Sequence, residues 1–171
     1  MCQFQQFRFP SSDGSSSCYA GAWLPPEEPR GVVQIVHGVG EHIGRYETAA
    51  RFLARQGFLV CGEDHLGHGN TVQDGRYGAF APQNGWKLVV TDIARLRRIQ
   101  GEKHPGVPYF LLGHSMGSFL TRTYLIDHPG TVDGAILSGT GQEPAPLVAF
   151  GKLLAGLECR RLGYDGVSPL V

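Results

Sequence analysis

Gly113-His114-Ser115-Met116-Gly117 follows the apolar run Tyr109-Phe110-Leu111-Leu112 and precedes Phe119, Leu120, Thr123 and Tyr124 at helical spacing. A G-x-S-x-G turn between a buried strand and a helix makes Ser115 a candidate nucleophile, because such a turn holds the serine in a strained conformation with its hydroxyl clear of the backbone. Gly113 and Gly117 remove side-chain bulk two residues before and two after, where strand and helix would otherwise collide. The N–H of Met116, opening the helix, is placed to face an oxygen that gains negative charge in acyl transfer. The plain alternative is a glycine-rich turn with a bystander serine in a chain that holds 25 glycines.

A second glycine-rich stretch, His37-Gly38-Val39-Gly40-Glu41-His42-Ile43-Gly44-Arg45-Tyr46, leaves an apolar run through residues that free its backbone N–H groups to face inward. His37 and Gly38 read as groups that shape this loop, and His114 as one that packs under the serine turn. In Asp64-His65-Leu66-Gly67-His68-Gly69-Asn70, a carboxylate with His-x-x-His has the look of a metal site, but Gly67 and Gly69 suit a tight loop better and the reading assigns no metal.

The elements that must position these groups alternate between strands and helices. Residues near Gln3–Phe9 and Cys18–Leu24 pair as a hairpin around the serine-rich loop 11–17, ended by Pro25 and Pro26. Val32–Val36 is a buried-type strand; a helix over 46–56 carries Ala49, Phe52, Leu53 and Gln56 on one face; Phe58–Cys61 is the next strand. A helix from about Trp86 to Gln100 presents Trp86, Val89, Val90, Ile93 and Leu96, and is stopped by Gly101 and Pro105. The strand of the serine turn and its helix follow, His128-Pro129-Gly130 ends that helix, and Gly134–Ser138 is the last strand. This order predicts an α/β fold with a mostly parallel sheet, helices on both faces, and chemistry beyond the carboxyl ends of the strands. Residues 1–140 read as a core and 141–171 as the start of a cap, apolar and helix-like over Pro144–Leu157 and continuing through Cys159–Tyr164.

Fifteen basic and fifteen acidic side chains give no net charge, which argues against nucleic acid as a partner. Arg95, Arg97 and Arg98 read as a solvated helix face. The amino terminus lacks a basic stretch followed by an apolar one and no long apolar run occurs, so a soluble, cytoplasmic protein is expected. Cys2, Cys18, Cys61 and Cys159 are too scattered for a disulfide framework or a C-x-x-C site and read as free thiols.

Taken in order and approximate spacing, the three motifs resemble the monoacylglycerol lipase and lysophospholipase group of the α/β-hydrolase fold, serine hydrolases of the serine aminopeptidase S33 type. The resemblance covers essentially the whole chain. It implies Ser115 as nucleophile, backbone N–H groups of Val39 and Met116 as oxyanion hole, no cofactor, and lipid-like esters such as monoacylglycerols or lysophospholipids as substrates. It also implies a triad in the order Ser, Asp or Glu, then His. After Ser115 only His128 remains, at the far end of a helix, and Glu143 is a weak stand-in for the acid among Glu143, Glu158 and Asp165. The chain is therefore expected to be an amino-terminal portion that stops before the last strands. The competing reading is a catalytically incomplete module serving interaction. On the family's strand order Gly134–Ser138 is an exposed edge open to self-association, and the apolar cap residues are candidates for transient contact with a membrane surface.

Overall fold

A computed structural model describes residues 2–163, 166, 168 and 169. They fall into two units, Met1–Thr140 and Gly141–Val171.

The first unit is built on one six-stranded sheet. Its strands are β1 (Gln3–Pro10), β2 (Ser17–Leu24), β3 (Gly31–Val36), β4 (Phe58–Glu63), β5 (Tyr109–His114) and β6 (Gly134–Ser138), in the spatial order β1-β2-β4-β3-β5-β6. The hairpin β1–β2 is antiparallel, with Phe9 opposite Cys18, and β2 is antiparallel to β4. From β4 onward the sheet is parallel: β3 pairs with β4 and β5, and β6 adds to β5 with Leu112 opposite Ile136. Short β-rich apolar runs bounded by glycine and proline form these strands. The three helices are α1 (Glu47–Arg55), α2 (Gly85–Lys103) and α3 (Met116–Asp127).

Strand alternation divides the core into two layers. On one face Val32, Val36, Leu59, Cys61 and Leu111 meet Val89, Ile93 and Leu96 of α2 and Leu120 and Tyr124 of α3. On the other face Trp23, Val33, Ile35 and Val60 meet Ala50 and Ala54 of α1. At the β6 edge the sheet is open, with Ile136 56% and Leu137 38% exposed.

Four helix details depart from expectation. The buried face of α1 is centred on Ala50 and Ala54, not on Ala49 and Phe52, and Phe52 is exposed. Methyl side chains let the helix axis lie close to the sheet, and the larger Phe52 is turned outward. In α2 the helix runs through Gly101 to Lys103, because one glycine in a last turn costs only about 1 kcal/mol. Pro105 is the real stop, holding His104 out of helical geometry at φ −129° and ψ 67°. Trp86, in the first turn of α2, stays half-exposed and donates its indole N–H to Thr123 Oγ1 at 3.1 Å. The arginines of α2 are not a plain solvated face either: Arg97 lies over the Tyr109 ring and Arg95 bonds the Pro10 carbonyl.

The second unit contains the helix α4 (Ala145–Leu162), which has no buried residue. Glu158 is bonded there to Arg161 and to the Ser168 hydroxyl. Tyr164 and Asp165 lie outside the described residues. No helix among the described residues is long and apolar enough to cross a membrane.

Candidate active site

Ser115 stands where β5 breaks into α3, at φ 52° and ψ −120°. Among the described residues only Ser115 and Asn84 are non-glycine residues at positive φ, and Asn84 at ψ 23° is an ordinary left-handed cap. Ser115 is not, so its backbone carries strain of about 1–3 kcal/mol that its surroundings must hold. They do so from both sides. The Ser115 N–H donates to the Ser138 carbonyl at 2.9 Å, and the Ser115 carbonyl accepts from the Ser118 N–H at 2.9 Å and the Ser118 hydroxyl at 2.6 Å. The Ser115 hydroxyl does not cap α3 and has no hydrogen-bond partner among the described residues, so it stays available.

Gly113 and Gly117 are required by close approach. A Cβ on Gly117 would overlap the Val36 carbonyl and crowd that of His37, while one on Gly113 would overlap Thr121 Oγ1 and press on the Gly117 carbonyl. Because the obstacle to Gly117→Ala is backbone, the substitution is expected to cost about 2 kcal/mol. Urea denaturation checks this as a lower midpoint with an unchanged slope.

The same close approach brings the β3 loop to the serine. A Cβ on Gly38 would lie 3.2 Å from Ser115 Cβ and 3.3 Å from the His114 carbonyl. Val39 follows immediately, its side chain 66% exposed. Neither the Val39 N–H nor the Met116 N–H has a hydrogen-bond partner among the described residues, so both donors remain free.

His37 is fully buried and makes two hydrogen bonds. Its Nε2 accepts the His65 N–H at 3.0 Å, so Nδ1 carries the proton and donates to the Gly38 carbonyl at 2.8 Å. Burial, helped by the neighbouring His65, pushes its pKa down to about 2, which leaves it neutral. His65 stacks on it at 3.9 Å between ring centroids, with its own pKa pushed down to about 3 by burial and by His68. Glu63 Oε1 lies 3.3 Å from His65 Nδ1, and complete burial raises the Glu63 carboxyl to about 8.

Asp64 ties the two loops together: its Oδ1 accepts the Ile43 N–H at 2.6 Å and its Oδ2 accepts the Asn70 N–H at 2.7 Å. Those bonds occupy both Asp64 oxygens, and His68 Nδ1 contacts the Leu66 carbonyl at 2.9 Å, while both ring nitrogens of His65 and Nε2 of His68 have no hydrogen-bond partner among the described residues. Among the described residues no group of three or more such side chains is arranged to hold a metal. A cavity of about 620 Å³ is lined by Val39, Glu41, His42, His68, Asn70 and Tyr77 among others.

These buried groups set a pH optimum for stability. His37 and His65 have folded-state values below the ordinary 6.5, so below that pH the unfolded chain binds more protons and stability falls as pH falls. Glu63 has a folded-state value above 4.5, so between 4.5 and about 8 the folded chain holds the extra proton and stability falls as pH rises. Two histidines outweigh one glutamate below 6.5, and Glu63 alone acts just above it. Stability should therefore peak near pH 6.5, falling on each side by about 1.4 kcal/mol per pH unit for each net proton. Urea midpoints measured from pH 4 to pH 9 check this, and a midpoint still rising at pH 8 contradicts it.

His114 departs from expectation. It does not pack under the turn but is only half-buried, with Nδ1 3.4 Å from Ser138 Oγ and its ring edge-on to Tyr46 at 6.4 Å. The alternation of β5 explains this, since His114 shares the face of Phe110 and Leu112, opposite buried Leu111 and Gly113. His128 ends α3 and packs on Tyr124 at 4.9 Å. All seven histidines are described, and none is hydrogen-bonded to the Ser115 hydroxyl.

Glu41 and Tyr46 were not singled out by sequence reasoning. The Glu41 carboxylate accepts the Gly38 N–H at 2.9 Å and the Tyr46 hydroxyl at 2.6 Å through the same oxygen. Burial alone would raise its pKa, but these two bonds, with His114 and Arg45 nearby, hold it below the ordinary glutamate value. The signal available in the sequence was a carboxylate three residues past Gly38 and a tyrosine five further on.

A family model described as serine aminopeptidase, S33, matches residues 27–162. The monoacylglycerol lipase of Mycolicibacterium smegmatis is 36% identical over 156 residues, covering 85% of this chain and 54% of that protein. The human monoglyceride lipase is 35% identical over 115 residues, covering 67% of this chain and 36% of that protein. A thermostable carboxyl esterase from Bacillus coagulans superposes with a TM-score of 0.84 at 36% identity, covering 95% of this chain and 53% of the esterase. A soluble variant of the monoglyceride lipase from Saccharomyces cerevisiae, with a TM-score of 0.71 at 21% identity, shares the fold. The chain spans about half the length of the Mycolicibacterium lipase and of the Bacillus esterase.

Proposed function

The chain belongs to the serine aminopeptidase S33 family of α/β hydrolases, and on that premise we propose that its chemistry is the hydrolysis of carboxylic esters through an acyl-enzyme on Ser115. Monoacylglycerols, lysophospholipids or similar single-chain esters are the substrates, and the names of the relatives support the first of these. The observation that carries it is the Ser115 backbone at φ 52°, with a hydroxyl that has no hydrogen-bond partner among the described residues and with Gly38, the residue before Val39, packed against the serine turn.

In the reaction the Ser115 oxygen attacks the ester carbonyl while a base takes its proton. The N–H groups of Val39 and Met116 hold the oxyanion, and collapse of the tetrahedral intermediate expels the alcohol, which takes a proton from the protonated base. Water then repeats the sequence to free the acid. No cofactor enters these steps. His37 shapes the oxyanion loop and does not transfer protons, because one ring nitrogen is donating and the other accepting within the fold. No histidine is hydrogen-bonded to the Ser115 hydroxyl, so the reaction needs a base and an acid partner besides the residues named here.

Residues 141–171 would act as the beginning of a cap, with exposed Leu147, Phe150 and Leu153 of α4 available to a lipid surface. A second reading, a catalytically silent module that self-associates, is favoured by the open β6 edge with exposed Ile136 and Leu137. Hydrolysis of a short-chain nitrophenyl ester by a polypeptide that joins this chain to a working base and its acid partner, with and without Ser115→Ala, decides between them. The ester-hydrolase reading expects a rate above buffer that vanishes with Ser115, and the silent module expects no Ser115-dependent rate.

A further inference from the structure

We propose that Glu41 is a positioning residue for the oxyanion loop: its carboxylate, gripped by Tyr46, holds the Gly38 amide and so fixes the direction of the next peptide N–H, that of Val39. This rests on the ester-hydrolase reading of Ser115.

The Val39 N–H belongs to the planar peptide whose other end is the Gly38 carbonyl. His37 Nδ1–H holds that carbonyl at 2.8 Å, and in a trans peptide the N–H points the opposite way. One bond leaves the peptide free to swing about its neighbours unless the preceding one is also held. Glu41 does this, accepting the Gly38 N–H at 2.9 Å. The carboxylate is itself restrained, with the Tyr46 hydroxyl 2.6 Å from the same oxygen and Arg45 Nε 3.2 Å from the other. It is only 13% exposed, so these bonds are sheltered from water. Packing adds to the bonding: a Cβ at Gly38 would lie 3.0 Å from Glu41 Oε2 and 3.2 Å from Ser115 Cβ, so Gly38 is clamped between the carboxylate and the serine turn.

Glu41 touches neither the oxyanion nor the attacked carbonyl in this account. Its effect on rate passes entirely through the orientation of one donor, which is stronger in the transition state than in the ground state. Its loss should therefore lower kcat and leave KM nearly alone.

The test reads amide hydrogen exchange by NMR in the 171-residue chain, and Ser115-dependent hydrolysis of a nitrophenyl ester by absorbance in a polypeptide that joins this chain to a working base and its acid partner. In Glu41→Ala, exchange at Gly38 should quicken about tenfold or more, the size set by losing a hydrogen bond to a charged acceptor. The His65 amide, bonded to His37 on the other side of the loop, should keep its protection and so report an intact fold. The Ser115-dependent kcat should fall about tenfold or more, the scale of an oxyanion donor misplaced, with KM changed less than twofold. Glu41→Gln, which keeps an acceptor oxygen, should restore both. Should Glu41→Ala not fold, Tyr46→Phe should loosen Gly38 in the same direction by a smaller factor. Unchanged Gly38 exchange, or quickened exchange with unchanged Ser115-dependent kcat, overturns the proposal. Failure of the ester-hydrolase reading shows separately, as hydrolysis that survives Ser115→Ala, and the exchange result still judges the Glu41 clamp.

Discussion

Ser115→Ala is expected to lower kcat by about a millionfold in any polypeptide that joins this chain to a working base and its acid partner, with KM little changed. Triad members act as a unit, so removing either nucleophile or base forfeits nearly the whole catalytic gain. By the same logic the 171-residue chain alone should hydrolyse a monoacylglycerol or a short-chain ester only about a thousandfold to ten-thousandfold faster than water, from binding and the oxyanion hole. None of its seven histidines is hydrogen-bonded to the Ser115 hydroxyl, and the two ring nitrogens of His37 are committed within the fold. Steady-state hydrolysis of a nitrophenyl ester and of a monoacylglycerol measures both quantities. Robust turnover by the isolated chain contradicts the need for an outside base, and activity of the joined polypeptide that survives loss of Ser115 contradicts the nucleophile.

Asp64→Ala carries the largest expected effect on stability. The side chain is fully buried and ends two N–H groups from loops that flank the site, those of Ile43 at 2.6 Å and Asn70 at 2.7 Å. Hydrogen bonds to a charged acceptor contribute about 1.5–3 kcal/mol each, and the Ile43 N–H would be left buried without a partner. The loss should come to about 4 kcal/mol, a large fraction of the about 5–15 kcal/mol that holds an ordinary domain folded. Urea denaturation at pH 6.5 checks it, with Asp64→Asn expected to retain part of the loss because one amide oxygen can still accept. A change below about 1 kcal/mol for Asp64→Ala would mean that water replaces the carboxylate and that the loops are not anchored there.

The parts of the fold that could be read from sequence are those in which a local pattern and the tertiary need agree. Val32–Val36 and Tyr109–Leu112 are apolar runs because both faces of a central parallel strand are covered, and the structure places them side by side as β3 and β5. The serine turn was legible for the same reason, since strand, glycines and helix all lie within a few residues. The face of α1 was misread because periodicity ranks Phe52 above Ala50, whereas close packing on a sheet selects the smaller residue. His114 was misplaced because a motif says nothing of which face a strand residue takes; alternation from Leu111 would have put it on the half-buried face of Phe110 and Leu112. Asp64 was seen as a metal candidate because its partners, Ile43 and Asn70, meet it only after the sheet brings two loops together. The clamp of Glu41 on Gly38 depends on a backbone reversal within three residues, which spacing alone does not specify.

The most direct test of the central assignment is the site at which an electrophile lands. After prolonged incubation with a phosphonofluoridate, intact-mass analysis and peptide mapping should show one adduct, on Ser115, and Ser115→Ala should carry none. An adduct distributed over exposed serines, or one that forms equally in Ser115→Ala, would contradict a nucleophile at the β5–α3 turn.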